Sequence, residues 1–320
     1  MSLMIANALV PVFFVMLLGY FAGARKIVDN KNVATLNVML MQFALPLTLF
    51  IAIARTSHEV IISNGPLALV LVLALVIAYV VILFFQLKVF KRSLGVAAVQ
   101  TLTAAFPNFA SIGLPLLLPI FGKEAALPVA IAIAVGSVTI SPMTLALLEL
   151  HKAQLSGEAS AVSPVSRFLV AVGRSMRKPI FVGPMLGLIV ALIGLPLPPL
   201  VGIAFTPITS ATAGLGLFLT GLMLSAQPIG LDANVSLGIL VKNILQPALG
   251  YGIVKLLGIP EPVASEAVLL LCIPTGFFGL VFGVGYGVRP PVAGSTLVLS
   301  SLVSVATLSM AILLQAPNLH

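Results

Sequence analysis

Charge is what this chain has least of. Asp, Glu, Lys and Arg make up 8% of its 320 residues, and 60% are hydrophobic, with a mean hydropathy of +1.22. Soluble globular domains carry roughly 25% charged residues, so a water-soluble enzyme or binding module is excluded. The apolar runs do not alternate with polar residues in the manner of outer-membrane strands. They hold no HExxH, no GxSxG and no paired aspartates, which removes the usual intramembrane hydrolase chemistries. The phosphate loop GxxxxGK[ST] is missing, and direct ATP coupling goes with it. A ring of charge or a filter-like repeat, as a channel would need, is also missing. The single cysteine, Cys272, rules out an intramolecular disulfide and a cysteine-only metal cluster. No Lys or Arg precedes the first apolar run, Leu3 to Ala24, whereas a cleavable signal needs a basic start. That run is therefore expected to be a retained span.

What is present is a series of apolar runs parted by short polar links, the pattern of an all-α membrane protein. Ten spans are expected, over residues 3–24, 32–54, 66–87, 94–121, 124–150, 179–195, 203–225, 236–257, 263–286 and 291–314. Links after odd-numbered spans hold twelve Lys and Arg (Arg25, Lys26, Lys31, Lys88, Lys91, Arg92, Lys152, Arg167, Arg174, Arg177, Lys178, Arg289). The even-numbered side holds three (Arg55, Lys123, Lys255). The positive-inside rule then places the odd links in the cytoplasm, both termini on the opposite side, and the chain in the cytoplasmic membrane. The net charge of +8 is spent on orientation and leaves no basic face for nucleic acid. The longest link is polar and Ser-rich, and residues 151–178 are expected to be a cytoplasmic linker between units 1–150 and 179–320.

Those units resemble each other at an offset of 167–168 residues. Pro11-Val-Phe-Phe aligns with Pro179-Ile-Phe-Val, and Leu18-Gly19 with Leu186-Gly187. Pro46-Leu-Thr-Leu-Phe50 aligns with Gly214-Leu-Gly-Leu-Phe218, and Pro107 with Pro274. Five spans is an odd number, so two such repeats must run oppositely through the membrane, as a 5+5 inverted repeat.

Pro107 and Pro274 fall mid-way along spans four and nine, each followed by a small polar residue, Asn108 and Thr275. A proline inside a helix frees a carbonyl and breaks the helix, and a bilayer tolerates this only where the backbone is buried or lines a cavity. At about 1.5 Å per residue the breaks lie about 17–20 Å deep, near the midplane. With proline in the first turn of each second half-helix, two positive helix ends would converge from opposite sides, which suits an anion. Asn108, Ser111, Thr275 and Gln42 would supply hydrogen bonds, while Gly113, Gly276 and Gly279 let backbones cross. The plainer alternative is that both prolines only kink helices for packing.

Lys242 stands in span eight with Asn243 and Gln246. It would counter an anionic substrate or serve a proton relay, or else snorkel to the near interface. Glu149 and Glu266 sit near span ends and are expected at the interface; His58 and His151 are expected to be solvated in links. These residues form no metal-ligand set.

Three stretches carry a family resemblance: LNVMLMQFALPLTLF (Leu36 to Phe50), FPNFASIGLP (Phe106 to Pro115) and IPTGFFGLVFG (Ile273 to Gly283). They are similar to the second-span signature and the two crossover segments of the auxin efflux carrier family. VDNKNV (Val28 to Val33), GSVTISPMTLALLE (Gly136 to Glu149) and GFFGLVFG (Gly276 to Gly283) resemble its bacterial malonate-carrier branch. The resemblance implies a scaffold of spans 1, 2, 6 and 7 and a mobile transport domain of spans 3–5 and 8–10. It also implies an elevator-like movement that carries the crossover across the membrane. Asn108 matches the asparagine that plant members keep after the crossover proline. Their acidic residues near span three have no counterpart between Pro66 and Leu87, so no proton mechanism is carried over.

The expectation is a secondary carrier of a small carboxylate, most of all malonate, with no cofactor. Another organic acid, auxin-like or otherwise, is the alternative. Coupling to a proton, to sodium or to neither stays open. So does a homodimer through the scaffold spans, which are apolar enough either to pair or to face lipid.

Overall fold

The computed structural model describes residues 2–30, 33–156 and 176–315, together with residues 163, 166, 169, 170, 172 and 173. The expected linker over 151–178 thus lies partly outside the described residues, and Lys31 and residues 316–320 lie outside them altogether. All named elements are helical, as hydrocarbon demands of a chain that must satisfy its own backbone.

The first half comprises α1 (Ser2–Ala24), α2 (Ala34–Ala54), α3 (Gly65–Phe84), α4 (Leu94–Ala105), α5 (Leu114–Phe121), α6 (Ala126–Val138) and α7 (Ile140–Ser156). The second comprises α8 (Pro179–Ile193), α9 (Pro199–Thr209), α10 (Thr212–Ser225), α11 (Ala233–Leu257), α12 (Val263–Cys272), α13 (Phe278–Gly285) and α14 (Pro291–Gln315). Among the described residues, six helical stretches are long and apolar enough to cross a membrane: 34–54, 58–89, 109–155, 199–225, 233–257 and 291–315. Ala8–Ala24, Leu94–Ala105, Pro179–Ile193 and Val263–Cys272 are apolar but shorter. The chain is a multi-pass membrane protein.

Its exterior is apolar, unlike that of a soluble fold, and its apolar core also encloses a set of polar side chains. Phe14, Leu17, Ile203 and Leu302 are exposed, while Gln100, Thr101, Thr103, Asn108, Lys242 and Asn243 are buried. Lipid solvates the apolar exterior, and polar groups turn inward to find partners. α1 lies along α10, and the second half of α2 lies along α8. The contact glycines are reciprocal: Gly19 abuts the Phe218 carbonyl, and Gly187 abuts the Phe50 carbonyl. A side chain at either glycine would drive the helices apart.

Proline also shapes the helices locally. π-helical turns over Met39–Ala44, Phe109–Gly113 and Val241–Leu245 each precede a proline, at Pro46, Pro115 and Pro247. Proline cannot donate to the carbonyl four residues back, and its ring crowds that carbonyl. The turn widens to accommodate it. Those carbonyls belong to Gln42, Ser111 and Asn243, all singled out from the sequence.

Two expectations need correction. The span expected over 203–225 begins earlier, at Pro199, and consists of two consecutive helical segments, α9 and α10, within one crossing stretch. Thr209 Oγ1 and Ser210 Oγ bond back to the carbonyls of Thr206 and Pro207 at the join, which competes with helix continuation. The second correction is at the breaks: neither Pro107 nor Pro274 occupies a first helical turn. α4 ends at Ala105 and helix resumes at Phe109, whereas α12 ends at Cys272 and α13 begins only at Phe278.

Candidate functional site

The two breaks meet as a one-residue antiparallel bridge between Pro107 and Thr275, with Pro274 immediately before the second bridge residue. Asn108 N donates to the Pro274 carbonyl at 2.9 Å, and Gly276 N donates to the Phe106 carbonyl at 2.7 Å. The donors are the residues next to the bridge pair, so neither proline is asked for the N–H it lacks. Asn108, at φ −77° and ψ 57°, is the centre of an inverse γ-turn closed by Phe109 N onto the Pro107 carbonyl at 2.8 Å. Gly276 brings its backbone against Phe106, Pro107 and Asn108, and Gly279 presses α13 onto Thr103 and the Val99 carbonyl of α4.

Polar side chains gather around this bridge. Asn108 Nδ2 donates to Thr220 Oγ1 of α10 at 3.0 Å, and Thr220 passes its own proton to the Gly216 carbonyl. Ser300 Oγ of α14 accepts from Thr275 N at 3.2 Å and donates to Asn243 Oδ1 at 2.7 Å. Asn243 Nδ2 returns to the Ser300 carbonyl. Asn108 Oδ1, Ser111 Oγ and Thr275 Oγ1 are buried and meet no partner among the described residues. Leaving such a group unpaired costs about 1–3 kcal/mol, so three beside one backbone crossing mark where a polar ligand would be stabilised.

The opposite ends of the broken helices are closed by α11. Lys242 is fully buried. Its Nζ donates to the Leu271 carbonyl at 2.6 Å and to Gln246 Oε1 at 2.7 Å, while Gln246 Nε2 donates to the Ala105 carbonyl at 2.8 Å. Leu271 and Ala105 belong to the last turns of α12 and α4. The snorkelling reading of Lys242 therefore fails: its ammonium is held inside by two helix ends rather than drawn to the interface.

The remaining sequence candidates separate. Pro107, Asn108, Ser111, Pro274, Thr275 and Gly276 belong to the crossing, and Lys242, Asn243 and Gln246 border it. Gln42 is exposed on α2 and shares none of these hydrogen bonds. Glu266 sits in the first turn of α12 but is buried there. Glu149 accepts from Tyr286 Oη at 2.6 Å. His58 is not merely solvated: its Nε2 lies 2.9 Å from the Leu192 carbonyl near the end of α8.

Thr220 and Ser300 were not legible as site residues, because Thr and Ser are common in such helices and neither adjoins a proline. Also unforeseen is an aromatic wall. Phe106 and Phe278 stack at 5.3 Å, Phe277 and Phe278 at 5.4 Å, and Phe109 meets Phe106 edge-on. Phe106, Phe109, Phe278 and Phe282 line a small cavity with Ser137, Ser141 and Lys178, whose Nζ stands 5.1 Å from the Phe282 ring centre.

Comparison with known proteins places these features in context. The model of a family described as membrane transport protein matches residues 4–312. The "Uncharacterized transporter YfdV" of Escherichia coli (strain K12) is 28% identical over 304 residues, covering 93% of this chain and 94% of that one. The "Putative malonate transporter" of Rhizobium meliloti (strain 1021) is 26% identical over 315 residues, covering 95% and 94%. "Auxin efflux carrier component 6" of Arabidopsis thaliana is 26% identical over 154 residues, 46% of this chain and 27% of that one.

Proposed function

This chain belongs to the membrane transport protein family, and from that premise we propose that it is a secondary carrier of a small organic anion, with malonate the leading substrate. The observation that carries the reading is the crossing itself. Two broken helices meet at a backbone bridge beside the unpartnered hydroxyls of Ser111 and Thr275 and the amide of Asn108. Half-helices leave this point with N-terminal N–H groups that lack intrahelical partners, and each such end is worth roughly half a positive charge. The hydroxyl donors of Ser111 and Thr275 with two positive ends suit a carboxylate, while the unpartnered Asn108 Oδ1 is an acceptor and suits a protonated oxygen or a water beside it. The carbonyl ends, which would repel a carboxylate, are occupied by Lys242 and Gln246.

The full proposal has ten spans in two inverted halves, with both termini outside the cytoplasm and α1, α2, α8, α9 and α10 as the scaffold. The reciprocal pairs Gly19–Phe218 and Gly187–Phe50 support it, since each residue and its partner are exchanged by the 168-residue offset. Transport then moves the crossing past the scaffold, elevator-fashion. The Asn108–Thr220 bond joins the two parts and must open for that movement.

Labelled malonate uptake into proteoliposomes, with Asn108→Ala beside wild type, tests this. Saturable uptake that the variant loses while remaining monodisperse supports the reading. Equal uptake by both removes Asn108 from the site, and no uptake by folded wild type removes malonate. A second reading, an aromatic monocarboxylate, is favoured by the Phe106–Phe278–Phe277 stack. Competition by phenyl or indole carboxylates against malonate separates the two.

A further inference from the structure

The hydrogen-bond account at the two breaks closes in an unusual way. In an unbroken helix the Ala105 carbonyl would accept from Phe109 N, and the Leu271 carbonyl from Thr275 N. Here Phe109 N has turned to the Pro107 carbonyl and Thr275 N to Ser300 Oγ. Both carbonyls are left at the negative ends of half-helices, inside the protein and away from water. Each such end amounts to roughly half a negative charge, so the pair calls for about one positive charge.

One side chain supplies it. The Lys242 ammonium reaches the Leu271 carbonyl directly and the Ala105 carbonyl through the Gln246 amide, with separations of 2.6 to 2.8 Å throughout. The two bonds from the ammonium are charge-assisted because their donor is ionised, and the Gln246–Ala105 bond is a neutral amide bond. The π-helical turn over Val241–Leu245 makes this reach achievable, because it leaves Lys242, Asn243 and Gln246 all buried on the side of the crossing. No carboxylate forms a salt bridge with Lys242 among the described residues, so the helix ends themselves are its counter-charge.

We infer that the Lys242 ammonium is the resident cation of the crossing. It stands where a bound monovalent metal ion would otherwise be needed to hold the two carbonyl ends together. The positive charge is tethered to α11 and stays with the crossing. The carrier therefore needs neither sodium nor any other alkali cation to assemble its site or to move its anion. The transport consequence rests on the carrier reading above; the structural claim does not.

The test has two readouts so that the claims can fail separately. Thermal melting of the purified protein is followed in sodium, potassium, methylammonium and choline chlorides at equal ionic strength. Labelled malonate uptake is measured in the same salts. Wild type is expected to show one melting midpoint and one uptake rate in all four. Lys242→Met is expected to melt lower in choline, and sodium or methylammonium should raise its midpoint again in a saturable way. Gln246→Leu, which keeps the ammonium, is expected to melt lower but to ignore the cation present. A saturable sodium or potassium effect on wild type overturns the inference. So does a Lys242→Met protein that no cation rescues, or a Gln246→Leu protein rescued equally well. A chain that carries some other anion gives no malonate uptake in any salt, yet the melting series still decides the point.

Discussion

Replacing Thr275 with valine should make this protein more stable and a worse carrier. Thr275 is fully buried and its hydroxyl meets no partner among the described residues, while its backbone N–H is held by Ser300. Valine has nearly the same shape, suits the extended backbone of the bridge, and leaves that N–H bond intact. The variant removes only an unpaired buried hydroxyl, so the empty protein gains about 1–3 kcal/mol and its melting midpoint rises. In the carrier the same hydroxyl would donate to a charged carboxylate, a bond worth about 1.5–3 kcal/mol. Its loss weakens apparent affinity roughly 10- to 150-fold. Thermal melting in detergent and the concentration dependence of malonate uptake read the two effects on one preparation. A variant that melts lower than wild type and transports with unchanged affinity would refute the reasoning, because the hydroxyl would then be a packing element already satisfied.

Other outcomes follow from the same geometry. Gly19→Val and Gly187→Val each force a side chain against a backbone carbonyl. Both should lose about 1–3 kcal/mol from overpacking, and a large loss at one site with none at the other would count against the reciprocal arrangement. Gly279→Ala sets a methyl against Thr103 and the Val99 carbonyl; malonate uptake should fall sharply, and wild-type uptake would mean that α13 can shift freely on α4. Gln42→Ala should leave apparent affinity within about twofold of wild type, since an exposed site away from the crossing contributes only a few tenths of a kcal/mol. A tenfold loss would return Gln42 to the site. Cysteines at Lys91 and Lys123, labelled with an impermeant maleimide in right-side-out vesicles, should react only at position 123; labelling of both from outside would reject the proposed orientation.

Much of this was legible before any coordinates. Low charge and long apolar runs fix a helical membrane protein, because hydrocarbon leaves the backbone no other partner than itself. Pro107 and Pro274 located both breaks, but proline alone does not break a helix here, since Pro11, Pro184 and Pro207 lie within helices that continue through them; what marked these two was their matched placement and polar followers. Their polar followers, Asn108 and Thr275, pointed to the crossing. Proline at both breaks suits the first turn of the second half-helices, whereas Pro107 sits in the bridge and Pro274 immediately before it. Proline suits either setting, and only the partner strand decides between them. Lys242 could be read as functional or as snorkelling, because its depth along α11 does not reveal which way it faces.

The sequence by itself determined the class, the approximate helix positions and the two interruptions, for these depend on groups within a turn or two along the chain. The tertiary structure alone decided that the breaks pair with each other, that Thr220 holds Asn108 and Ser300 holds Thr275, and that Lys242 and Gln246 close the ends of α12 and α4. Those hydrogen bonds join residues 25 to 170 positions apart. Which donors reach which carbonyls over such separations is settled by how the helices pack, and hydropathy and proline carry no record of it.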